Sequence, residues 1–219
     1  MILSVEKLSH QFNRNGQTIE VLRDVNLNVA ASQVVAIQGE SGSGKTTLLL
    51  ACGAMQKPTC GTVTLEKQNV YALSVAKRAR YRAGQIGYLF QTLQLLPYLN
   101  ALDNVQLVPG VSGDTAKQWL VRLGLENRLH HKPDSLSHGQ RQRVALARAI
   151  AHQPALIIAD EPTGNLDPKH AQLVFDTLRE FANDGGSVLI ASHDPAVASI
   201  ADQTYSLQSG TLADVGAAV

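Results

Sequence analysis

The sequence predicts an α/β fold with a mainly parallel sheet that is covered on both faces. Three short runs are wholly apolar and alternate with stretches of helical pattern; these runs are residues 34–37, 155–159 and 188–191. Strands that are buried on both faces of a parallel sheet have this composition. Their alternation with helices is typical of a sheet that carries helices on both sides.

The remaining elements follow from local patterns along the chain. β-forming residues predict strands over residues 2–8, 19–29 and 62–65, with a turn at residues 13–16. Helical patterns predict helices over residues 46–55, 139–152 and 169–183. A hairpin is expected around Ser209 and Gly210. The N-terminal strands are therefore expected to form an antiparallel β region beside the parallel core.

The middle of the chain has a different pattern. Residues 75–129 are mostly helical in pattern, with an apolar interruption at residues 86–90 and a loop at residues 110–113. We therefore predict one domain over residues 1–219. Its core takes in about 1–74 and 133–219, and a helical subdomain of about 75–132 is inserted into it.

The charge balance gives no sign of a nucleic-acid partner. Lys and Arg number 19 and Asp and Glu number 18, so the net charge is +1, whereas nucleic-acid-binding domains are usually strongly basic. A basic cluster at residues 77–82 is most simply a solvated helix face. No nucleic-acid partner is predicted.

Neither the cysteines nor the apolar segments place the chain outside the cytosol or in a membrane. Cys52 and Cys60 form neither a metal-ligand pattern nor a disulfide framework, which indicates a reduced cytosolic protein. No apolar run approaches the roughly 20 residues that span a bilayer, and the N-terminus lacks a signal-peptide pattern. No direct membrane insertion is predicted, so a membrane role would require a partner.

The strongest motif is a phosphate-binding loop from Gly39 to Thr46. It fits G-x-x-x-x-G-K-[ST] and lies between a predicted strand and a predicted helix, which is the context that the motif requires. Lys45 is expected to reach the β- and γ-phosphates of ATP, the Thr46 hydroxyl to bind Mg²⁺, and Thr47 to contact the α-phosphate. A flexible loop is the alternative, and the flanking elements argue against it. The predicted nucleotide-binding residues of this loop are Gly39, Ser41, Gly42, Ser43, Gly44, Lys45, Thr46 and Thr47.

Two carboxylates follow the buried run at residues 156–159. Asp160 at a strand end beside the phosphate loop is expected to reach the Mg²⁺ shell. Glu161 is then expected to face the attacking water as general base. The alternative is a solvated acidic turn before Pro162, and the position at the end of a buried strand favours a functional site.

Further motifs resemble those of the ABC ATPases. Residues 136–140, Leu-Ser-His-Gly-Gln, resemble the signature motif of that family and precede the acidic strand, as they do there. Gln91 resembles the glutamine of the Q-loop, residues 165–167 resemble the D-loop, and residues 192–194 resemble the switch-histidine region. The resemblance covers essentially the whole chain with all motifs in order. It implies a P-loop NTPase core of the RecA type with an N-terminal antiparallel β region and a helical insertion, the ABC ATPase fold.

The family resemblance also implies how the site is assembled. Two copies would pair head to tail, with each ATP between the phosphate loop of one copy and the signature motif of the other. Within that motif, which takes in Ser137, His138, Gly139 and Gln140, the serine and the glycine would hold the γ-phosphate. His138 stands where the family usually has glycine, which leaves its effect open.

The same resemblance assigns roles to four further residues. His193 would contact the γ-phosphate and position Glu161, and Gln91 would sense Mg²⁺ and water and signal to a membrane partner. Asp167 would join the two sites of the dimer. Phe12 lies where the family carries an aromatic residue that stacks on adenine, usually tyrosine, and it keeps an aromatic face for stacking.

Residues 160–167 and 90–105 are similar to the LolD, MacB and FtsE types of ABC ATPase, which pair with a permease of few spans and an extracytoplasmic domain. The resemblance implies an exporter subunit at the cytoplasmic face of the inner membrane, with an integral membrane permease docked near residues 91–105. Haem is the expected substrate, because haem-export ATPases belong to this subgroup, and lipoproteins, peptides or drugs are the alternatives.

Other functional classes remain to be weighed. An ATPase that regulates envelope enzymes without transport, as in the cell-division branch, stays open. Soluble ABC proteins of translation or repair are disfavoured, because this chain carries one compact set of motifs. A P-loop kinase is disfavoured by the signature motif.

Overall fold

The computed structural model describes residues 1–14, 16–164 and 166–216. Asn15 of the predicted turn and Asn165 of the predicted D-loop lie outside the described residues. The strands are β1 (Leu3–Arg14), β2 (Gln17–Val29), β3 (Val34–Gln38), β4 (Cys60–Leu65), β5 (Gln68–Asn69), β6 (Ile86–Leu89), β7 (Leu156–Asp160), β8 (Ser187–Ala191), β9 (Gln203–Gln208) and β10 (Thr211–Gly216). The α-helices are α1 (Lys45–Cys52), α2 (Val75–Gln85), α3 (Ala101–Gln106), α4 (Gly113–Arg122), α5 (His138–Ile150) and α6 (Pro168–Asn183).

The N-terminal strands form an antiparallel sheet in the order β2-β1-β4-β5. Strands β1 and β2 pair from Leu3 opposite Val29 to Arg14 opposite Gln17, so the hairpin is longer than the pattern predicted. Strand β4 pairs with the other edge of β1. The predicted antiparallel β region is confirmed.

The second sheet is the mainly parallel core, in the order β10-β9-β3-β8-β7-β6. Strands β9, β3, β8, β7 and β6 are parallel to their neighbours, and β10 joins antiparallel to β9 as the predicted tail hairpin. The predicted α/β fold class is confirmed.

The alternation of side chains explains why the central strands are wholly apolar. Val34 and Ala36 of β3 belong to a core cluster that also includes residues of α5 and α6, whereas Val35 and Ile37 belong to a second cluster with α1 and the antiparallel sheet. All four side chains are fully buried. Because neither face of the strand meets water, a polar side chain there would be buried among apolar residues, which disfavours it.

Local capping fixes where the helices begin and end. Ser137 caps α5 by accepting from the backbone N–H of Gln140, whose own side chain accepts from the backbone N–H of Ser137. This reciprocal capping box starts α5 at His138, one residue earlier than predicted. Helix α1 ends at Cys52, earlier than the predicted Met55.

The predicted helical subdomain, about residues 75–132, contains one strand that belongs to the core sheet. Strand β6 falls inside the range 75–132, yet it pairs in parallel with β7 and so belongs to the core sheet. Four apolar residues between helical patterns do not distinguish a buried strand from a helix. Helices α3 and α4 pack against α5 beyond this strand, and the two-part division of the domain otherwise stays a prediction.

No helix within the described residues combines the length and the apolar character that crossing a bilayer requires.

Candidate nucleotide-binding site

A cleft of about 570 Å³ opens at the carboxyl edge of the parallel sheet. The strands β3, β6, β7 and β8 all end at this edge, which is where parallel α/β sheets bind ligands. Most of the predicted nucleotide-binding and catalytic side chains meet here. The cleft is lined by Phe12, Val21, Glu40, Ser41, Gly42, Gly44, Lys45, Thr46, Thr47, Gln91, Asp160, Glu161 and His193.

The phosphate loop is held in a form that few residues other than glycine could adopt. Gly44 has a φ of 108°, in the left-handed region. A Cβ atom on Gly39 would lie 2.4 Å from the carbonyl oxygen of Leu207, so a side chain does not fit there. Lys45 donates from Nζ to the carbonyl oxygens of Gly39 at 2.7 Å and Glu40 at 3.0 Å. The ammonium group is thus placed inside the curve of the loop, where a phosphate would meet it.

Thr46 and Asp160 form a pair of oxygen ligands that suits a magnesium ion. The Thr46 hydroxyl donates to Oδ2 of Asp160 at 2.7 Å. Burial raises the pKa of Asp160 above its usual value; the hydrogen bond from Thr46 and the charge of Lys45 oppose that shift, and the charge of Glu161 adds to it. The described residues contain no cluster of three or more His, Cys, Asp or Glu that could hold a metal. The Thr46 hydroxyl and the Asp160 carboxylate would suit Mg²⁺, which usually takes one or two carboxylates and fills its remaining positions with phosphate oxygens and water.

Glu161 is fixed by its backbone and by three contacts on one carboxylate oxygen. Its φ of 49° lies in the left-handed region, which costs a non-glycine residue about 1–2 kcal/mol, and its N–H donates to the Ala191 carbonyl oxygen at 2.8 Å. Oε2 accepts from the Ser192 hydroxyl and from the His193 N–H, both at 3.3 Å, and lies 2.8 Å from Nδ1 of His193. Oε1 lies 3.9 Å from Nζ of Lys45. The carboxylate is therefore aimed at the space beside the phosphate loop.

Phe12 forms part of the wall of the cleft. The residue is 41% exposed, and the edge-to-face contact of its ring with His10 places the two ring centroids 4.7 Å apart. An exposed aromatic face at the mouth of a nucleotide cleft can stack on a base. Gln91 also lines the cleft, just beyond the end of β6.

The predicted loop residues that do not line this cleft line the depression next to it. Gly39 and Ser43 lie in this depression of about 710 Å³ with Ser41, Gly42 and His193. The buried hydroxyl of Ser43 has no hydrogen-bond partner within the described residues. A donor left free in a phosphate loop suits a phosphate oxygen.

The signature motif stands apart from the cleft of its own chain. Of the predicted residues that the structure describes, Ser137, His138, Gly139, Gln140 and Asp167 line neither the cleft nor the depression beside it. Ser137 is exposed at the N-terminus of α5. Asp167 caps α6 by accepting from the N–H of His170, and its carboxylate also pairs with the His170 ring, which lowers the pKa of Asp167.

Two residues near the cleft received no role in the sequence analysis. Ser192 donates to Glu161, and its own backbone N–H donates to Ile37 at 3.1 Å. Gln142 is 2% exposed and donates to the carbonyl oxygen of Pro162 at 2.6 Å, which ties α5 to the segment after Glu161. Their positions, next to His193 and inside the signature helix, were the signals that could have identified them.

Comparison with known families shows the family to which the chain belongs. A family model described as ABC transporter matches residues 22–164. The chain belongs to the ABC transporter family. It is an ATP-binding cassette of that family, and its activity is ATP hydrolysis coupled to transport.

Similar proteins place the cassette in the predicted subgroup. A lipoprotein-releasing system ATP-binding protein LolD from Hydrogenovibrio crunogenus is 42% identical over 218 residues, covering 96% of this chain and 95% of that protein. LolD from Shewanella oneidensis is 40% identical over 220 residues, covering 97% and 96%. The uncharacterized ABC transporter ATP-binding protein YvrO from Bacillus subtilis is 38% identical over 219 residues, covering 96% and 95%. The predicted resemblance to this subgroup is confirmed, whereas the expectation of haem gains no support from these relatives.

Solved structures agree with the fold of the cassette. The ATP-binding cassette MJ0796 in a dimeric post-hydrolysis state bound to ADP and Pi superposes with a TM-score of 0.92 at 33% identity, covering 98% of this chain and 99% of that one. A second dimeric structure of MJ0796 gives a TM-score of 0.89 at 34% identity, with 96% of each chain covered.

Proposed function

We propose that the cassette is the ATPase subunit of a LolD-like exporter, in which two copies pair head to tail and drive a separate membrane permease. The observation that carries this proposal is the meeting of Lys45, Thr46, Asp160, Glu161 and His193 in one cleft. The similarity to LolD proteins over nearly the whole chain supports the assignment to this type of exporter.

The phosphates of ATP lie against the phosphate loop. Lys45 turns from the carbonyl oxygens of Gly39 and Glu40 to the β- and γ-phosphates, which are stronger acceptors because they are charged. Thr46 and Asp160 hold Mg²⁺, and Thr47 contacts the α-phosphate. When bound, Mg²⁺ neutralises the charge that develops on the phosphates.

Glu161 accepts the proton of the attacking water. Its Oε2 already accepts two hydrogen bonds and contacts Nδ1 of His193, so Oε1 is the oxygen left to face the water. His193 is 74% exposed, and its ring can therefore move from Glu161 towards the γ-phosphate. Ser192 and His193 thus hold the Glu161 carboxylate in place before the nucleotide binds.

A second copy supplies the missing half of the site. Ser137 and Gly139 do not line the cleft of their own chain, yet they stand exposed or half-buried at the N-terminus of α5, where the helix dipole favours an anion. In a head-to-tail pair they hold the γ-phosphate bound to the other copy, and Asp167 joins the two sites. The dimeric MJ0796 structures support this arrangement.

The permease docks near residues 91–105. This segment leaves β6 beside the nucleotide cleft and leads into α3, so Gln91 stands between the nucleotide and the docked partner. The cassette is then held at the cytoplasmic face of the inner membrane as a peripheral subunit.

Lipoproteins are the substrate class that the relatives favour, since two LolD proteins of lipoprotein-releasing systems match at 40% and 42% identity. Haem, peptides and drugs are less supported alternatives. An envelope-regulating ATPase without transport is the second candidate function, because nothing in the ATPase site distinguishes it from an exporter.

The test uses the Glu161→Gln variant as bait in Mg-ATP with detergent-solubilised native membranes. Recovery of a permease of few spans, followed by ATP-dependent release of lipoproteins from vesicles that contain the complex, supports the proposal. Recovery of envelope enzymes without release supports the regulatory alternative. Recovery of soluble proteins alone contradicts both.

A further inference from the structure

Gln142 is a buried polar side chain that joins the signature helix α5 to the segment after the catalytic acid. The residue is 2% exposed, and its Nε2 donates to the carbonyl oxygen of Pro162 at 2.6 Å. Pro162 directly follows Glu161 in the chain. Buried polar groups are nearly always paired, and removing one partner leaves the other without a bond at a cost in free energy. The amide of Gln142 is therefore the point at which α5 holds the backbone next to the base.

The segment after Glu161 also belongs to a ring of hydrogen bonds that returns to the Glu161 carboxylate. The hydroxyl of Thr163, a residue that is 6% exposed, donates to Oδ2 of Asp194 at 3.2 Å. The Asp194 N–H donates to the Ser192 hydroxyl oxygen at 3.0 Å, and that hydroxyl donates to Oε2 of Glu161 at 3.3 Å. A displacement of the Pro162 backbone therefore reaches Glu161 both along the chain and through these side chains.

Glu161 depends on such supports because its own backbone conformation is unfavourable. Its φ of 49° lies in the left-handed region, which a non-glycine residue keeps only where the surrounding structure enforces it. The N–H of Glu161 is held by the Ala191 carbonyl oxygen at 2.8 Å. The bond from Gln142 holds the next residue along the chain, so the two bonds together fix the turn from which the carboxylate projects.

Gln142 lies one helical turn from the signature motif. It follows His138 by four residues and Gly139 by three, so the three residues share one face of α5. A Cβ on Gly139 would lie 3.4 Å from the Leu166 side chain and 3.9 Å from the His170 ring, so this face packs against the residues that lead into and begin α6. A shift of the first turn of α5 moves Gln142 as well, because one turn of hydrogen-bonded helix moves as a unit.

We infer that Gln142 is a positioning residue that couples the two ATP sites of the dimer. The inference rests on the proposed function, in which the signature motif of one copy binds the γ-phosphate of the ATP held by the other copy. In that arrangement Ser137 contacts one ATP, whereas Glu161 of the same chain acts on the other. The hydrogen bond from Gln142 to Pro162 makes the placement of Glu161 depend on whether the other site is filled, which is a coupling between two distinct sites.

A linked dimer with one working base measures this coupling. Two full chains are joined by a flexible linker, and only the first copy keeps both Glu161 and Lys45. The second copy carries Glu161→Gln, which keeps its ATP bound, or Lys45→Ala, which leaves its site empty. The first copy is otherwise the parent chain or carries Gln142→Met, which removes the donor from a side chain of nearly the same length. Turnover then reports the first site alone.

We expect Gln142→Met to lower turnover about tenfold when the second site is filled, because displacing a catalytic group by about 1 Å can cost about a hundredfold. The KM for ATP should stay unchanged, since Gln142 does not line the nucleotide cleft. With the second site empty, the same substitution should cause little further loss. No loss, or an equal loss with the second site filled and empty, contradicts the coupling.

Two controls separate this inference from the arrangement on which it rests. Gln118→Met makes the same chemical change at an exposed position of α4 and should leave turnover unchanged. Ser137→Ala in the second copy removes a contact to the ATP of the first copy. If that variant leaves turnover at the first site unchanged, it is the head-to-tail dimer of the proposed function that fails.

Gln142→Glu tests the donor itself. A protonated carboxyl group can donate to the Pro162 carbonyl oxygen, whereas a carboxylate cannot, and burial favours the protonated form. We expect the turnover of this variant, divided by that of the parent, to fall as pH rises, whereas the ratio for Gln142→Met should be low at every pH. Thermal melting checks that both variants are folded. A folded Gln142→Glu variant with a ratio as low as that of Gln142→Met at every pH overturns the inference.

Discussion

Nδ1 of His193 lies 2.8 Å from Oε2 of Glu161, and the two side chains differ sharply in exposure, at 74% for the histidine and 11% for the glutamate. The glutamate is thus shielded and fixed, whereas the histidine is open to the solvent. Ser192 and the His193 N–H hold the same oxygen. This arrangement presents a fixed base beside the phosphate loop and leaves the histidine free to move when nucleotide binds.

Lys45→Ala is expected to weaken ATP binding. The ammonium group donates to two carbonyl oxygens of the phosphate loop, and removing a charge-assisted hydrogen bond to the phosphates should raise the Kd about tenfold or more. A fluorescent ATP analogue measures the Kd, and Lys117→Ala at an exposed position of α4 is the control. An unchanged Kd in the Lys45 variant would show that the loop binds phosphate without this side chain.

Phe12→Ala is expected to raise the Kd for ATP about three- to tenfold, since an aromatic stack contributes about 0.5–1.5 kcal/mol. Binding of inorganic tripolyphosphate, which has no base, should not change in this variant. Competition against the fluorescent analogue measures both ligands. Equal weakening of the two would mean that Phe12 shapes the phosphate loop rather than binding the base.

Gly87 and Gly84 make a matched pair for stability. A Cβ on Gly87 would lie 2.1 Å from the backbone oxygen of Ala149, whereas a Cβ on Gly84 would have nothing within 4 Å. Gly87→Ala should therefore lower the free energy of unfolding by about 1–3 kcal/mol. Gly84→Ala in α2 should raise it by up to about 0.5–1 kcal/mol. Urea denaturation measures both, and equal effects would contradict the packing of β6 against α5.

One buried and one partly buried histidine, His10 and His152, make stability depend on pH. Burial lowers the pKa of His10 and of His152 below the usual 6.5. Below that value the unfolded chain binds more protons than the folded one, so the free energy of unfolding falls as pH falls from about 7.5 to about 5.5. The double variant with His10→Gln and His152→Gln should show a smaller fall over this range in urea titrations. A parallel fall in both proteins would remove the histidines as the cause.

The sequence predicted those parts of the site whose geometry follows from the spacing of residues within a single motif. The glycines and Lys45 of the phosphate loop, and the acids at the end of an apolar strand, occupy fixed places relative to their elements, so their convergence followed from the parallel sheet. The position of Phe12 could be inferred only from resemblance. It comes from the antiparallel sheet, and no local rule brings that sheet to the cleft.

Long-range contacts account for what the sequence could not predict. Strand β6 is defined by its pairing with β7, and α1 ends at Cys52, where the next residue, Gly53, approaches the Tyr88 side chain too closely to carry a Cβ. Arg148 donates to the carbonyl oxygens of Leu93 and Gln94, which lie more than fifty residues earlier in the chain. The partners of such residues are chosen by tertiary packing, which local propensity does not encode.

The most direct test of this account is the ATP turnover of the Glu161→Gln variant. Glutamine keeps the size of the side chain and its contact with Ser192 but cannot accept the proton of the attacking water. We predict a fall in turnover of at least about a hundredfold, with ATP still bound, because general-base catalysis contributes about 10²–10⁴-fold. Turnover equal to that of the parent protein would contradict the assignment of Glu161 as the base.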